Sequence, residues 1–153
     1  MGMRRFLLAF LVGLLFWGSG RAGGADLGFS VRNGPNGNFM GHLGMYLDGF
    51  PVDYRSQLVL GSPGGLYLSA EAVYSPPLYL LLRPYLAAGL ALGITGYTAQ
   101  NELRLRFGER WYAVFSLGLQ FPERGYRPYL EFSQVVGSES FQRFTVGFVV
   151  ELR

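Results

Sequence analysis

Apolar and polar residues alternate with a period of two along most of the chain. From Phe144 onward, one phase carries only large apolar side chains, and the other carries small, polar or charged ones: Thr145, Gly147, Val149, Glu151 and Arg153. A period of two is typical of a β-strand whose two faces meet different surroundings. Comparable segments, separated by turn-forming Gly, Pro, Asn and Ser, begin at Leu27, Phe39, Tyr54, Leu66, Leu86, Leu103, Trp111 and Leu130.

The charged residues inside these segments all lie on the phase opposite the large apolar side chains. They are Asp26, Arg32, Arg55, Glu71, Arg83, Glu102, Arg104, Arg106, Glu131, Arg143, Glu151 and Arg153. Small residues and tyrosine also occupy this phase, as in the row Tyr85, Ala87, Gly89, Ala91 and Gly93. Such a row suits a crowded interior better than a face in water. We therefore expect the apolar phase to contact lipid, where an arginine would cost about 2–4 kcal/mol at mid-bilayer depth.

The first 25 residues read as a secretory leader, and residues 26–153 as one domain. Arg4 and Arg5 precede an apolar run that is too short for a membrane helix, and small residues follow it. Cleavage is expected after Ala22 or Ala25, with Ala25 preferred; a retained helical anchor is the alternative. Removal of the leader takes away three arginines and leaves ten basic and ten acidic residues, so the basic pI gives no indication of nucleic-acid binding.

The composition favours a membrane barrel over a secreted soluble β-protein, which remains the alternative. Charged residues make up 15% of the chain, against about 25% in ordinary soluble domains, and aromatic residues make up 16%. With no cysteine, the chain has neither disulfides nor a thiolate metal site. Aromatic residues near segment ends, including Tyr54, Tyr74, Tyr79, Trp111 and Tyr126, are typical of the girdles at membrane interfaces.

The leader, the alternation and the segment that starts Arg83-Pro84-Tyr85 and continues to Gly93 carry a resemblance to a known group. The chain resembles the small bacterial outer-membrane β-barrels of the OmpA/OmpX type. The resemblance implies an all-β, antiparallel up-and-down transmembrane barrel in the bacterial outer membrane. It also implies contact with outer-membrane lipid and with the outer-membrane assembly machinery, and we expect a monomer. Because such barrels have an even number of strands, the nine segments predict eight strands, with ten as the alternative.

The charges on the inward phase predict a network inside the barrel. An eight-stranded barrel is just wide enough to be filled by side chains, and charges there must pair. We expect an Arg–Glu network that plugs the lumen and consists of Arg55, Glu71, Glu102, Arg104, Arg106, Glu131 and Glu151. The functional alternative is a narrow passive channel for ions or small solutes.

His42, the only histidine, is the one candidate for catalysis. Some barrels of this kind modify lipid A with a His and a Ser nucleophile, and Ser30 and Ser69 lie on the inward phase nearby. Nothing in the spacing selects a pair, so we expect no enzyme and a His42 that is hydrogen-bonded in the lumen. No cofactor, metal site or nucleic-acid partner is expected. The sequence therefore indicates a structural, surface-binding or ligand-binding role.

Overall fold

The computed structural model describes residues 23–33, 38–61, 65–78, 81–100 and 102–152. The predicted leader before Gly23 lies outside the described residues, as do the turn at residues 34–37 and Tyr79. Within the described ranges, the chain has no helix with the length and apolar character needed to cross a membrane.

The chain forms a closed barrel in which each strand pairs antiparallel with its sequence neighbours, and β1 pairs with β8. The strands are β1 (Gly23–Arg32), β2 (Phe39–Leu47), β3 (Asp53–Gly61), β4 (Gly65–Tyr74), β5 (Arg83–Ala99), β6 (Glu102–Gln120), β7 (Tyr126–Gly137) and β8 (Phe141–Leu152). The prediction of an eight-stranded up-and-down barrel is confirmed, and the alternative of ten strands is wrong.

The ninth segment of the sequence pattern is the first half of β6. The segments that begin at Leu103 and Trp111 belong to one strand, although the sequence between them resembles a turn. Gly108 has a φ of 78°, and the register is irregular here, since Leu92 pairs with Trp111 whereas Ile94 pairs with Phe107. A bulge has the same Gly signal as a turn but does not end the strand, so the pattern counted one strand too many.

The apolar phase faces outward. Phe29 and Phe39 are more than two thirds exposed, whereas inward residues such as Asp26 and Ser133 are fully buried. This arrangement puts the large apolar side chains around the barrel, as a lipid-contacting belt requires. The alternative of a soluble β-protein with its apolar phase inward is therefore wrong.

Glycines on the inward phase make room for rings from neighbouring strands. A Cβ at Gly28 would lie 2.5 Å from the His42 ring, and one at Gly147 would lie 2.5 Å from the Tyr129 ring. Gly118 lies against the ring of Tyr85 in the same way. The small residues of the second face therefore let large polar side chains lie across the lumen.

The two ends of the barrel differ. The chain termini meet at one end, where Gly23 pairs with Leu152, and we call this the terminal end and the opposite end the far end. Exposed aromatic side chains mark the terminal end at Tyr54, Tyr74, Phe121 and Tyr126. β1 begins at Gly23, three residues before the domain boundary that the sequence suggested.

Candidate functional site: the packed lumen

Side chains fill the lumen in three layers. An apolar layer lies toward the far end and consists of Met40, Val59, Tyr67, Ala91, Tyr112, Val114, Val135 and Phe141. A second layer lies toward the terminal end and consists of Tyr46, Val73, Tyr85, Ala87, Tyr129 and Val149. Buried polar and charged side chains lie between them, and we call these the ionic band. Each strand turns every second residue inward. The members of the ionic band come from every strand except β5, whose inward residues from Tyr85 to Gly93 are tyrosine, alanine and glycine.

Arg55 is the centre of the ionic band. Its guanidinium donates to Glu131 Oε2 at 2.7 Å and to Glu71 Oε2, so one cation contacts two carboxylates. All three side chains are almost completely buried. Tyr85 also donates to Glu131 Oε2, at 2.7 Å. A buried charge is tolerated only with such partners, and the planar guanidinium suits two carboxylates at once.

Arg143 approaches the same two carboxylates from the side of the far end. Its Nη2 lies 4.0 Å from Glu71 Oε1 and 3.9 Å from Glu131 Oε1, beyond ordinary hydrogen-bond distance. Its Nε lies 3.4 Å from Ser133 Oγ, which itself donates to Glu131 Oε1 at 3.0 Å. Arg55 and Arg143 together offset the two negative charges of Glu71 and Glu131, but Arg143 is held less tightly than Arg55.

A second group of polar side chains surrounds Asp26. Gln57 donates its amide to Asp26 Oδ2, and Tyr129 donates its hydroxyl to Asp26 Oδ1, each at 2.7 Å. His42 Nε2 lies 3.2 Å from Asp26 Oδ1 and 2.8 Å from the Tyr129 oxygen. Since the tyrosine proton is used on Asp26, Nε2 is best assigned as the protonated nitrogen that donates to Asp26 or to the Tyr129 oxygen.

The two serines considered as partners of His42 have other contacts. Ser30 Oγ lies 2.8 Å from Thr145 Oγ1, and Ser69 Oγ donates to the Gln57 carbonyl at 3.5 Å. Among the described residues, the polar contacts of the His42 ring are Asp26 and Tyr129. The same residues contain no group of three or more side chains suited to holding a metal ion.

The structure brings together three of the seven residues predicted for the network. Arg55, Glu71 and Glu131 meet in the lumen, whereas Glu102, Arg104, Arg106 and Glu151 are exposed. The prediction for these four residues is corrected, since each has the inward phase but lies beyond the packed part of the barrel. The phase of a residue determines the face of the strand on which its side chain lies. It does not determine whether neighbouring strands extend far enough along the barrel to bury that side chain.

Three of the four belong to a two-stranded ribbon beyond the far end of the barrel. Residues 94–99 of β5 pair with residues 102–107 of β6, while the pairing of β5 with β4 stops at Gly93 and that of β6 with β7 stops at Tyr112. On one face, Arg104 lies 3.8 Å from Glu102, and Arg106 donates to Glu109 at 2.9 Å. The other face exposes Leu103 and Leu105.

Several residues that take part in the polar contacts of the lumen were not in the predicted network. Asp26 and Arg143 have the inward phase and could have been included; each directly precedes the first apolar residue of its segment. Tyr85 and Tyr129 carry no charge, so only their inward phase next to charged neighbours pointed to them. An inward glycine opposite each ring is the additional sequence signal for these two tyrosines. Gly118 lies opposite Tyr85, and Gly147 lies opposite Tyr129.

No protein-family model matches the chain, and no curated protein is significantly similar to it in sequence. Solved structures do match. Neisserial surface protein A aligns with a TM-score of 0.63 at 12% identity and covers 88% of this chain and 98% of its own. The N-terminal β-barrel domain of Pseudomonas aeruginosa OprF aligns with a TM-score of 0.59 at 16% identity, covering 84% and 97%.

The outer membrane protein Ail of Yersinia pestis, solved in a phospholipid bilayer nanodisc, aligns with a TM-score of 0.57 at 11% identity, covering 86% of this chain and 99% of its own. These neighbours are small bacterial outer-membrane barrels, so the chain has the fold of an OmpA/OmpX-type barrel. This confirms the fold class predicted from the sequence, and the outer-membrane setting of these neighbours agrees with the predicted location.

Proposed function

We propose that the chain is an integral outer-membrane barrel with a closed lumen and a structural or surface-binding role, rather than a channel. The observation that carries the proposal is the ionic band between two apolar layers. Arg55 donates across the lumen to both Glu71 and Glu131, and aromatic rings fill the space above and below these three side chains. An ion would have to displace a buried ion pair to pass, which costs several kcal/mol per ion removed from its partner.

Planar-bilayer recording tests the closed lumen. The mature barrel, refolded in detergent and inserted into a lipid bilayer, is expected to produce no conductance steps. An outer-membrane porin inserted into the same bilayer is the positive control. Reproducible steps with the pure barrel would overturn the proposal and favour the channel.

A surface-binding role is supported by the ribbon at the far end. Its polar face carries Arg104 and Arg106, whose side chains are each about half exposed beyond the far end of the barrel. Ail of Yersinia pestis has been crystallised with the heparin analogue sucrose octasulfate, and we propose a ligand of the same sulfated, anionic class here.

Sucrose octasulfate should bind the detergent-solubilised barrel in calorimetry, and the double variant R104Q/R106Q should lose that binding. Equal binding by the variant would place the ligand elsewhere.

We infer that His42 supports the packing of Asp26 and is not a catalytic residue. Its contacts with Asp26 and Tyr129, and the pairing of Ser30 with Thr145, favour a structural role. Lipid A extracted from cells that express the H42A variant should have the same acylation as lipid A from cells with the unchanged protein. A change in acylation that depends on His42 would favour an enzyme.

We further propose that the protein is inserted by the outer-membrane assembly machinery and is a monomer. The closed barrel leaves no strand edge along the wall for pairing with another copy. In cell fractionation, the protein should remain in the outer membrane after a salt wash and dissolve only in detergent. Cross-linking in intact membranes should produce a single band at the mass of one chain, and a ladder would contradict the monomer.

A further inference from the structure

The connection between β4 and β5, at the terminal end of the barrel, exposes large apolar side chains and has no charge. The structure describes its residues 75–78 and 81–82. Leu81 is 90% exposed and Leu78 is 49% exposed. The sequence has no charged residue between Tyr74 and Arg83. An apolar surface of this kind marks a site of contact with a membrane or with another molecule.

The other two connections at the terminal end carry charged residues. The connection between β2 and β3 contains Asp48 together with an exposed Phe50, and the connection between β6 and β7 contains the exposed residues Glu123 and Arg124. The absence of charge is therefore particular to the connection between β4 and β5.

The backbone at the start of this connection suits surroundings with little water. Pro76 and Pro77 have no N–H group, and the N–H of Leu78 donates to the Pro76 carbonyl at 2.7 Å. Residues 76–78 therefore present no free amide donor. An unpaired backbone donor is costly in contact with lipid, and this turn avoids that cost where it exposes the Leu78 side chain.

The exposed leucines continue the lipid-contacting belt. Tyr74, the last residue of β4, pairs with Leu86 of β5, and both side chains are outward and about half exposed. Tyrosine is typical of the membrane interface, so the belt reaches the ends of the two strands that the connection joins. Arg83 follows the connection at an exposed position, where a long cationic side chain suits the headgroup region.

We propose that Leu78 and Leu81 form a phospholipid-binding surface that anchors the terminal end of the barrel in the adjacent membrane leaflet. Their side chains insert among the acyl chains next to the headgroups, and removal of apolar area from water supplies the free energy. Lipid is favoured over a protein partner because the surface joins the belt directly. The proposal requires that the barrel spans the membrane, but it does not depend on a closed lumen.

Spin labels on single cysteines test this surface, since the chain has no cysteine of its own. The L78C and L81C variants are labelled and refolded into vesicles of phosphatidylethanolamine and phosphatidylglycerol. Their labels should be more accessible to oxygen, which concentrates in hydrocarbon, than to a water-soluble nickel chelate. The control for lipid contact is L117C, at an outward position of β6, and the control for a turn in water at the same end is E123C.

Two outcomes would overturn the proposal. Labels at Leu78 and Leu81 that the nickel chelate reaches as readily as the label at Glu123 would place the turn in water. Low accessibility to both reagents would show that a second copy of the chain covers the turn. The heat-modifiable gel mobility of each variant and the lipid signal of L117C in the same vesicles establish that the barrel is folded and inserted, so neither outcome would reflect failed insertion.

Discussion

Arg55 is the residue on which the lumen depends most. It is buried, and it is the one cation of the described residues within hydrogen-bond distance of both Glu71 and Glu131. Replacement of one member of a buried ion pair leaves its partners charged without solvent, which costs more than the pair itself contributes. The ionic band therefore makes the fold sensitive to single substitutions at positions that do not contact lipid.

We predict that R55M lowers the stability of the refolded barrel by about 3–5 kcal/mol, because two carboxylates lose their closest cation. The measurement is urea unfolding, followed by the gel mobility of the folded and heated forms. The matched control is R104M, since Arg104 lies 3.8 Å from Glu102 with both side chains about half exposed or more, and exposed pairs contribute little. Equal midpoints for R55M and R104M would show that the ionic band does not stabilise the barrel.

Inward glycines are a second determinant at the residue scale. In G118A, the added methyl would meet the ring of Tyr85 and push its hydroxyl away from Glu131. Overpacking of this kind typically costs about 1–3 kcal/mol. The same urea assay should show a lower midpoint for G118A and little change for the control G41A, whose added methyl has its nearest atom at 3.9 Å. If both variants unfold at the midpoint of the unchanged protein, the space around Tyr85 is looser than described.

At the scale of elements, the first pairs of β1 distinguish between the two cleavage sites predicted for the leader. Gly23 pairs with Leu47 of β2 and Leu152 of β8, so residues 23–25 are part of the closed barrel. Cleavage after Ala25 would remove these pairs, and cleavage after Ala22 would keep them. We therefore predict that intact-mass measurement of protein from outer membranes gives a first residue of Gly23. A mass that corresponds to Asp26 would contradict this and restore the site that the sequence favoured.

We expect the barrel to fold without the ribbon. The ribbon strands pair with each other but not with β4 or β7, and of residues 93–110 only Gly93 pairs with β4. Replacement of residues 93–110 by Asn-Gly, in which Asn takes the place of Gly93, should therefore join Leu92 to Trp111 as a tight hairpin. We predict that this variant folds with the same heat-modifiable gel mobility shift as the full chain. A shortened chain that stays unfolded in detergent would show that the ribbon contributes to the barrel.

At the scale of the whole molecule, the barrel separates its surfaces by chemistry. The outer belt is apolar, the lumen contains the ions, and the exposed charges lie at the ends and on the ribbon. Salt screens charges that solvent can reach but hardly affects buried pairs. The stability of the fold should therefore be insensitive to ionic strength, although buried ion pairs contribute to it.

We predict that the urea midpoint of the refolded barrel is the same in about 0.1 M and about 1 M sodium chloride, since the screening length falls from about 10 Å to about 3 Å without reaching the lumen. The R55M variant serves as the comparison and should show equally little dependence on salt. A midpoint that falls markedly with salt would place the ion pairs in contact with solvent.

The alternation of residue types along the chain was enough to predict the class of fold and the direction of most side chains. Phe144, Phe148 and their neighbours face outward, and Arg55, Glu71 and Glu131 face inward, as the period of two indicated. Such a period depends only on residues adjacent in sequence, because successive side chains of a strand point to opposite faces.

The tertiary structure alone decided which charges meet and how far the barrel extends. Arg55 reaches Glu131 across 76 positions of the chain, and this contact depends on the register of every strand between them. Arg104 and Arg106 have the same inward phase, yet they lie on the ribbon because β4 and β7 end below them. Phase is a local property, whereas depth and pairing follow from strand length and closure, so only the assembled barrel determines which charges are buried.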